Sequence, residues 1–135
     1  MNNNNQKNTA PRAAAPETDS NKNITTNSIT DDGEKIKVVV QNPGEISRIV
    51  TIPNTLEAMQ ELVGGYIEVH HISGSLLLVM DEEGRLKGLP ENVRCVQYGT
   101  IVGPVFITAD KDEDFRSLTP EEIQTARAWL MKHIV

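Results

Sequence analysis

Leu76-Leu77-Leu78-Val79-Met80, followed by Asp81-Glu82-Glu83-Gly84, is the stretch on which the fold turns. Its five apolar residues neither alternate with polar ones nor carry a charge. Side chains on a strand point alternately to opposite faces, so an unbroken apolar run means that both faces are covered. Residues 76–80 are therefore read as a central strand. The run is the longest apolar one in the chain and far too short to span a bilayer.

Upstream, Ser73-Gly74 is a turn, and Tyr66 to Ile72 reads as a partner strand. Ile67, Val69 and His71 share one of its faces, while Tyr66, Glu68 and His70 share the other. Before it, Leu56, Met59, Leu62 and Val63 recur at helical spacing. Asn54 with Glu57 is the expected start of that helix, and Gly64-Gly65 its stop. Further back, Ile36, Val38 and Val40 alternate with Lys35, Lys37, Val39 and Gln41, predicting a strand with one apolar face. Asn42-Pro43-Gly44 turns it into a second strand over 47–52.

Downstream, Asp81 to Gly84 reads as a tight hairpin loop with Gly84 left-handed and residues 85–89 pairing back. Pro90-Glu91-Asn92 interrupts, and residues 93–100 give no clear period. A last strand is expected over 102–108, with Gly103-Pro104 marking a bulge or an edge. The closing helix is signalled at both ends. Thr119 caps it, Pro120 takes the first helical position, Glu122 completes a capping box, and Lys132 and His133 suit the negative end of the dipole. Ile123, Ala126, Leu130 and Ile134 are its expected inner face, with Trp129 or Met131 flanking. The sum is an α+β domain over 34–135: a small antiparallel or mixed sheet of about five strands with two helices on one face.

Residues 1–33 lack the apolar content to bury a core. Asn, Thr, Ser, Ala and Pro dominate, and Ile24 and Ile29 are the large aliphatics after Met1. A disordered arm is expected there. Its charges nearly balance, with Lys7, Arg12 and Lys22 against Glu17, Asp19, Asp31 and Asp32, so it is not a basic arm for nucleic acid.

The full chain of 135 residues has a net charge of -6, 38% hydrophobic and 24% charged residues. Its isoelectric point is about 5.0. Such a chain repels phosphate backbones and anionic lipid, so direct nucleic-acid binding and membrane association are disfavoured. One cysteine, Cys95, allows no intrachain disulfide. With no apolar segment at the start, a cytoplasmic protein is expected.

No cofactor or metal motif stands out. Adjacent on a strand, His70 and His71 point to opposite faces and cannot share a metal. A structural zinc site would need His70, His71, His133 and Cys95 to converge. Asp110, Asp112 and Asp114 imitate the start of a calcium loop, but Phe115 stands where that loop needs glycine and Arg116 where it needs a ligand. Cys95 follows Arg94 with no histidine nearby, the usual setting of a buried structural thiol.

Three runs now acquire a further meaning. These are residues 55–68 (Thr55-Leu56-Glu57 through Gly64-Gly65-Tyr66-Ile67-Glu68), residues 81–92 (Asp81-Glu82-Glu83-Gly84-Arg85 through Pro90-Glu91-Asn92), and Gly99-Thr100-Ile101-Val102-Gly103-Pro104 with the later Glu113 to Thr119. In this order they resemble the domain-of-unknown-function family number thirty-eight forty-six, over about 36 to 132. Members are small proteins of bacteriophages, plasmids, conjugative elements and low-GC Gram-positive bacteria. The resemblance implies a compact α+β fold and a mobile-element setting, and no catalytic residues. Many relatives carry a longer acidic segment where this chain has Val93 to Tyr98.

Three functions compete. The first is a non-enzymatic binding protein that docks on a host or element protein, with Asp81, Glu82, Glu83, Asp110, Asp112 and Asp114 as its contact surface. Second is a small-ligand or nucleotide binder, in a homo-oligomer with sites between subunits, using Tyr66, His70 and Arg116. The third is a hydrolase, which would need a carboxylate beside one of the strand histidines.

Overall fold

The structure, a computed structural model, describes residues 34–135. The arm expected over 1–33 lies outside the described residues. The elements in chain order are β1 (Lys35–Gln41), β2 (Arg48–Pro53), α1 (Leu56–Val63), β3 (Ile67–Ser73), β4 (Leu76–Asp81), β5 (Glu91–Cys95), β6 (Gly99–Val102), β7 (Val105–Lys111), β8 (Asp114–Arg116) and α2 (Pro120–His133). A six-stranded sheet runs β2-β1-β7-β4-β3, with β8 paired to the end of β7. Each of its pairings is antiparallel. β5 and β6 form a separate antiparallel pair. The α+β class stands, and the sheet is antiparallel with one strand more than expected.

β4 is buried along its whole length, as its unbroken apolar run requires. It lies between β3 and β7. β7 is buried from Val105 to Ala109, and β1 buries Val39 and Gln41 as well as Ile36, Val38 and Val40. The single apolar face expected for β1 is thus two buried faces. Three strands with apolar side chains in both parities need cover on both sides.

Two cores result. On one side Ile36, Val38, Val40, Val79 and Phe106 meet Met59 and Val63 of α1. On the other, Val39, Leu78, Met80, Val105 and Ile107 meet Ala126 and Leu130 of α2. Val93 and Cys95 of β5 and Ile101 of β6 belong to this second core. The helices therefore cover opposite faces and not one. α1 shields its face alone, whereas α2 shares the other with the β5–β6 hairpin.

Several local expectations shift. Thr55, not Asn54, caps α1, its hydroxyl accepting from the Ala58 N–H at 3.2 Å. Asn54 instead donates its amide to the Phe115 carbonyl at 3.0 Å. Leu56 is exposed, so the buried stripe of α1 is narrower than its apolar residues suggest. Residues 85–89 do not pair back on β4, because β3 and β7 already fill both of its edges. Instead the Asp81 carboxylate accepts from the Glu83 N–H at 2.8 Å, and the chain coils, with Lys87 N–H donating to the Glu83 carbonyl and Leu89 N–H to Gly84. Gly84 is needed for room: a Cβ there would stand 2.9 Å from Val102 Cγ2.

The unreadable segment 93–100 supplies most of the β5–β6 hairpin, and the last long strand begins three residues later than expected, after Gly103-Pro104. α2 keeps its capping box: the Glu122 N–H donates to Thr119 Oγ1 at 3.1 Å and the Thr119 N–H to Glu122 Oε1 at 2.9 Å. Ile134 lies past the helix, half exposed, and bridges to Val93 on β5.

One buried polar group ties the layers. Asn92 is fully buried. Its Oδ1 accepts from Gln41 Nε2 at 3.0 Å, and its Nδ2 donates to the carbonyls of Gln41 and Gly103, both at 2.8 Å. The Val135 N–H closes on its main-chain carbonyl at 3.0 Å. β1, β5 and the link into β7 thus meet at one side-chain amide, and Val135 joins the same residue through its main chain. Asn92→Ala would strand the Gln41 amide and two carbonyls, at about 1–3 kcal/mol for each group left unpaired. We expect a loss of about 3 kcal/mol or more in urea unfolding of the full chain; a loss below about 1 kcal/mol would contradict the bracing role.

Candidate functional site

β3 is the last strand of the sheet, and its Glu68 and His70, two residues apart, project from the same face. His70 Nε2 donates to Glu68 Oε2 at 2.7 Å. The Tyr98 ring, from the turn of the β5–β6 hairpin, stacks on the imidazole with centroids 4.1 Å apart and planes 18° from parallel. The Tyr98 hydroxyl donates to the His71 carbonyl at 2.6 Å, which fixes the hairpin against β3. From the coil after β4, the Arg85 guanidinium donates to the Thr100 carbonyl. Between these parts lies a cleft of about 130 Å³ lined by Glu68, His70, Glu82, Arg85, Tyr98 and Thr100 over a floor that includes Met80 and Ile101.

The residues singled out from sequence fall in several places. His70 lines the cleft. Tyr66 precedes β3 and is 65% exposed, outside the cleft lining. Arg116 is not available to a ligand. It grips Glu122 with two bonds of 2.8 Å and sits on β8, remote in the fold from β3. The three expected ligand contacts do not assemble.

Nor do the six acids form one surface. Asp81 is buried, its Oδ2 2.7 Å from Lys87 Nζ, so it belongs to the interior. That Lys87 ammonium also donates to the Gly64 carbonyl at the end of α1. A Cβ on Gly65 would stand 2.7 Å from both Asp81 Oδ1 and Lys87 Nζ, which explains the second glycine after α1. The first, Gly64, takes φ 89° as the left-handed cap. Glu82 and Glu83 are exposed at this end of β4, while Asp110, Asp112 and Asp114 are exposed at the other. There Asp112 has φ 55° in the two-residue turn between β7 and β8.

His71 faces away from His70, as strand parity requires, and its Nε2 donates to the Gly74 carbonyl. His133 stacks on Trp129 and donates from Nδ1 to that residue's carbonyl. Cys95 is buried. Among the described residues no three His, Cys, Asp or Glu side chains are grouped to hold a metal ion. No helix among them is long and apolar enough to cross a membrane.

Reading the sequence missed Tyr98 and Arg85. The alternation of Glu68 with His70 was a usable sign of their pairing. Tyr98 had none, since its partner is 28 positions away in sequence and was joined by a hairpin with no visible period.

The family model for the domain of unknown function DUF3846 matches residues 36–131, which is every element described but the edges of β1 and α2. The chain belongs to this family. No curated protein and no solved structure matches the chain.

In this DUF3846 domain the strongest electrostatic anchor lies outside the cleft. Arg116 holds the Glu122 carboxyl at about 2, below its usual 4.5, against an opposing push from burial. The Thr119 N–H works in the same direction. Asp81 is likewise lowered: burial raises it, but the bonds from Lys87 and the Glu83 N–H and the Lys87 charge outweigh burial. A carboxyl depressed by folding stabilises fully above its unfolded value, and the contribution is lost as pH falls through the folded one. For Glu122 the window is pH 4.5 down to about 2, and the contribution is at most about 3 kcal/mol. Glu122→Gln keeps the capping acceptor and removes the charge. We expect it to be less stable than wild type at pH 6 and to converge with it near pH 2, by denaturant titration; a constant gap across that range would contradict the assignment.

Proposed function

We propose that this domain is a non-enzymatic binding protein of phage or mobile-element type, acting in the cytoplasm by docking on a host or element protein. The observation that carries the reading is the β7–β8 turn. Asp110, Asp112, Glu113 and Asp114 are all exposed there, on a hairpin whose strands are paired in register. No salt bridge among the described residues engages them. Four carboxylates beside one another repel, and Asp112 adds the strain of a left-handed backbone. Asp110 is drawn to the Arg116 charge and Asp114 accepts from the Phe115 N–H, but no cation is bonded to any of the four among the described residues; their use is to meet a basic surface, where charge complementarity speeds encounter and selects partners. The family setting supports the mobile-element part of the reading.

A small-ligand role ranks second. Its support is the cleft beside His70, yet at about 130 Å³ this is well under the roughly 300–1,000 Å³ of ordinary ligand pockets and suits one ring or side chain, not a nucleotide. A hydrolase ranks third. Glu68 does supply a carboxylate beside His70, but the Thr100 hydroxyl in that lining accepts from Arg94 Nε at 3.0 Å.

The test is affinity capture with the full chain and its Asp110→Asn/Asp112→Asn/Asp114→Asn variant. The three positions are exposed, so the variant should fold. We expect a protein captured by wild type at low salt to be lost with the variant and weakened at 0.5 M salt, where the Debye length falls to about 4 Å. Capture that is indifferent to both changes would overturn the reading.

A further inference from the structure

The cleft between β3 and the β5–β6 hairpin is a built feature that the hairpin acids do not use. We propose that it is the receptor for a single arginine side chain presented by the partner protein. The inference rests on the docking reading above and names the group the partner supplies.

Three properties point to a guanidinium. Size is the first: about 130 Å³ compares with the roughly 150 Å³ of an engineered cavity that takes one benzene. A planar group of that order fits, and a nucleotide does not. Second, the wall is aromatic. His70 and Tyr98 lie nearly parallel and both line the cleft, with Tyr98 fixed through its hydroxyl. Their facing surfaces are spent on each other, so a flat cation would stack on an outer face of the pair, and arginine stacks on aromatic faces better than lysine.

Charge is the third. The lining carboxylates are Glu68, Glu82 and Asp81, and the lining guanidinium is Arg85. Asp81 is neutralised by Lys87. Glu68 gives one oxygen to His70 and keeps the other, and Glu82 is exposed with no salt bridge among the described residues. Apart from the His70–Glu68 and Lys87–Asp81 pairs, the lining holds the Glu82 carboxylate and the Arg85 guanidinium, and Glu68 adds a second carboxylate with one oxygen open. Arg85 is held to the Thr100 carbonyl, which leaves the carboxylates free of it in the bonding pattern observed. A carboxylate with both oxygens free, as Glu82 has, can receive a guanidinium through two parallel N–H bonds, which an ammonium cannot reproduce.

The sign of the Arg85 effect separates this proposal from its opposite. If a cation binds, removing Arg85 relieves repulsion and binding tightens. If an anion binds, Arg85 is its ligand and binding collapses.

The experiment is NMR titration of the full chain with N-acetyl-arginine methylamide, its citrulline counterpart (neutral and nearly the same shape), the lysine counterpart and inorganic phosphate. We expect the arginine compound to shift the signals of His70, Tyr98 and Glu82 and to bind roughly tenfold more tightly than the citrulline one. Glu82→Gln should weaken it several-fold and Arg85→Ala should strengthen it. Glu82 is exposed, so its variant tests the site without disturbing the core. Equal binding of citrulline, stronger binding of phosphate, or loss on Arg85→Ala would each overturn the proposal. Should the arginine compound leave these signals unmoved while partner capture still depends on Asp110, Asp112 and Asp114, this inference fails and the docking reading stands.

Discussion

The fold depends on the need to cover both faces of three strands. β1, β4 and β7 carry apolar side chains in both parities, and no sheet with such strands at its centre can leave a face to water. Every other element follows from that need. α1 closes one face over Phe106 and Val79. α2 is too narrow to close the other alone, since only Ala126 and Leu130 of it are fully buried, so the β5–β6 hairpin completes the cover with Val93, Cys95 and Ile101. The cleft is a consequence of that shared duty. It opens where the hairpin meets the edge of the sheet, and Tyr98 on His70 is the joint.

Polar groups fix the positions of these covers. Apolar contact alone would let the hairpin slide on the sheet, because burial is not directional. Asn92 removes that freedom by bonding to Gln41 and Gly103 at once. Asp81 and Lys87 do the same for the end of α1, and Arg116 with Glu122 for the start of α2. Each brace joins a cover to the central sheet or to a strand leaving it, and each uses charge or an amide with its partners in place.

Much of this was legible in the sequence, and the rest was hidden for identifiable reasons. β4 could be placed from its missing alternation, and α2 from Thr119, Pro120 and Glu122, because those signals are local. The opposite placement of the two helices was not legible. It turns on Val39 and Gln41 being buried, and a pattern of Lys35, Lys37, Val39 and Gln41 looks like a solvent face until Leu118 and Asn92 are known to cover it. The β5–β6 hairpin was obscured because Glu91, Arg94 and Gln97 break its pattern and its buried face packs on a distant strand. Among the site residues, His70 was found through its neighbours on β3. Asp81 and Arg116 were misplaced because their partners, Lys87 and Glu122, lie six positions on, where sequence offers no sign of an ion pair.

For function, the arrangement separates two acidic regions by the length of β4, one at the β7–β8 turn and one at the cleft. The rest of the structure depends on the sheet lying between two covers, and methyl-labelled NMR of the full chain tests that most directly. Met59 should show contacts to Val79 and Val63, Leu130 should show contacts to residues of the other core such as Val93 and Ile107, and neither helix should reach the other's set. Contacts from Met59 and Leu130 to the same strand side chains would put both helices on one face and contradict the account.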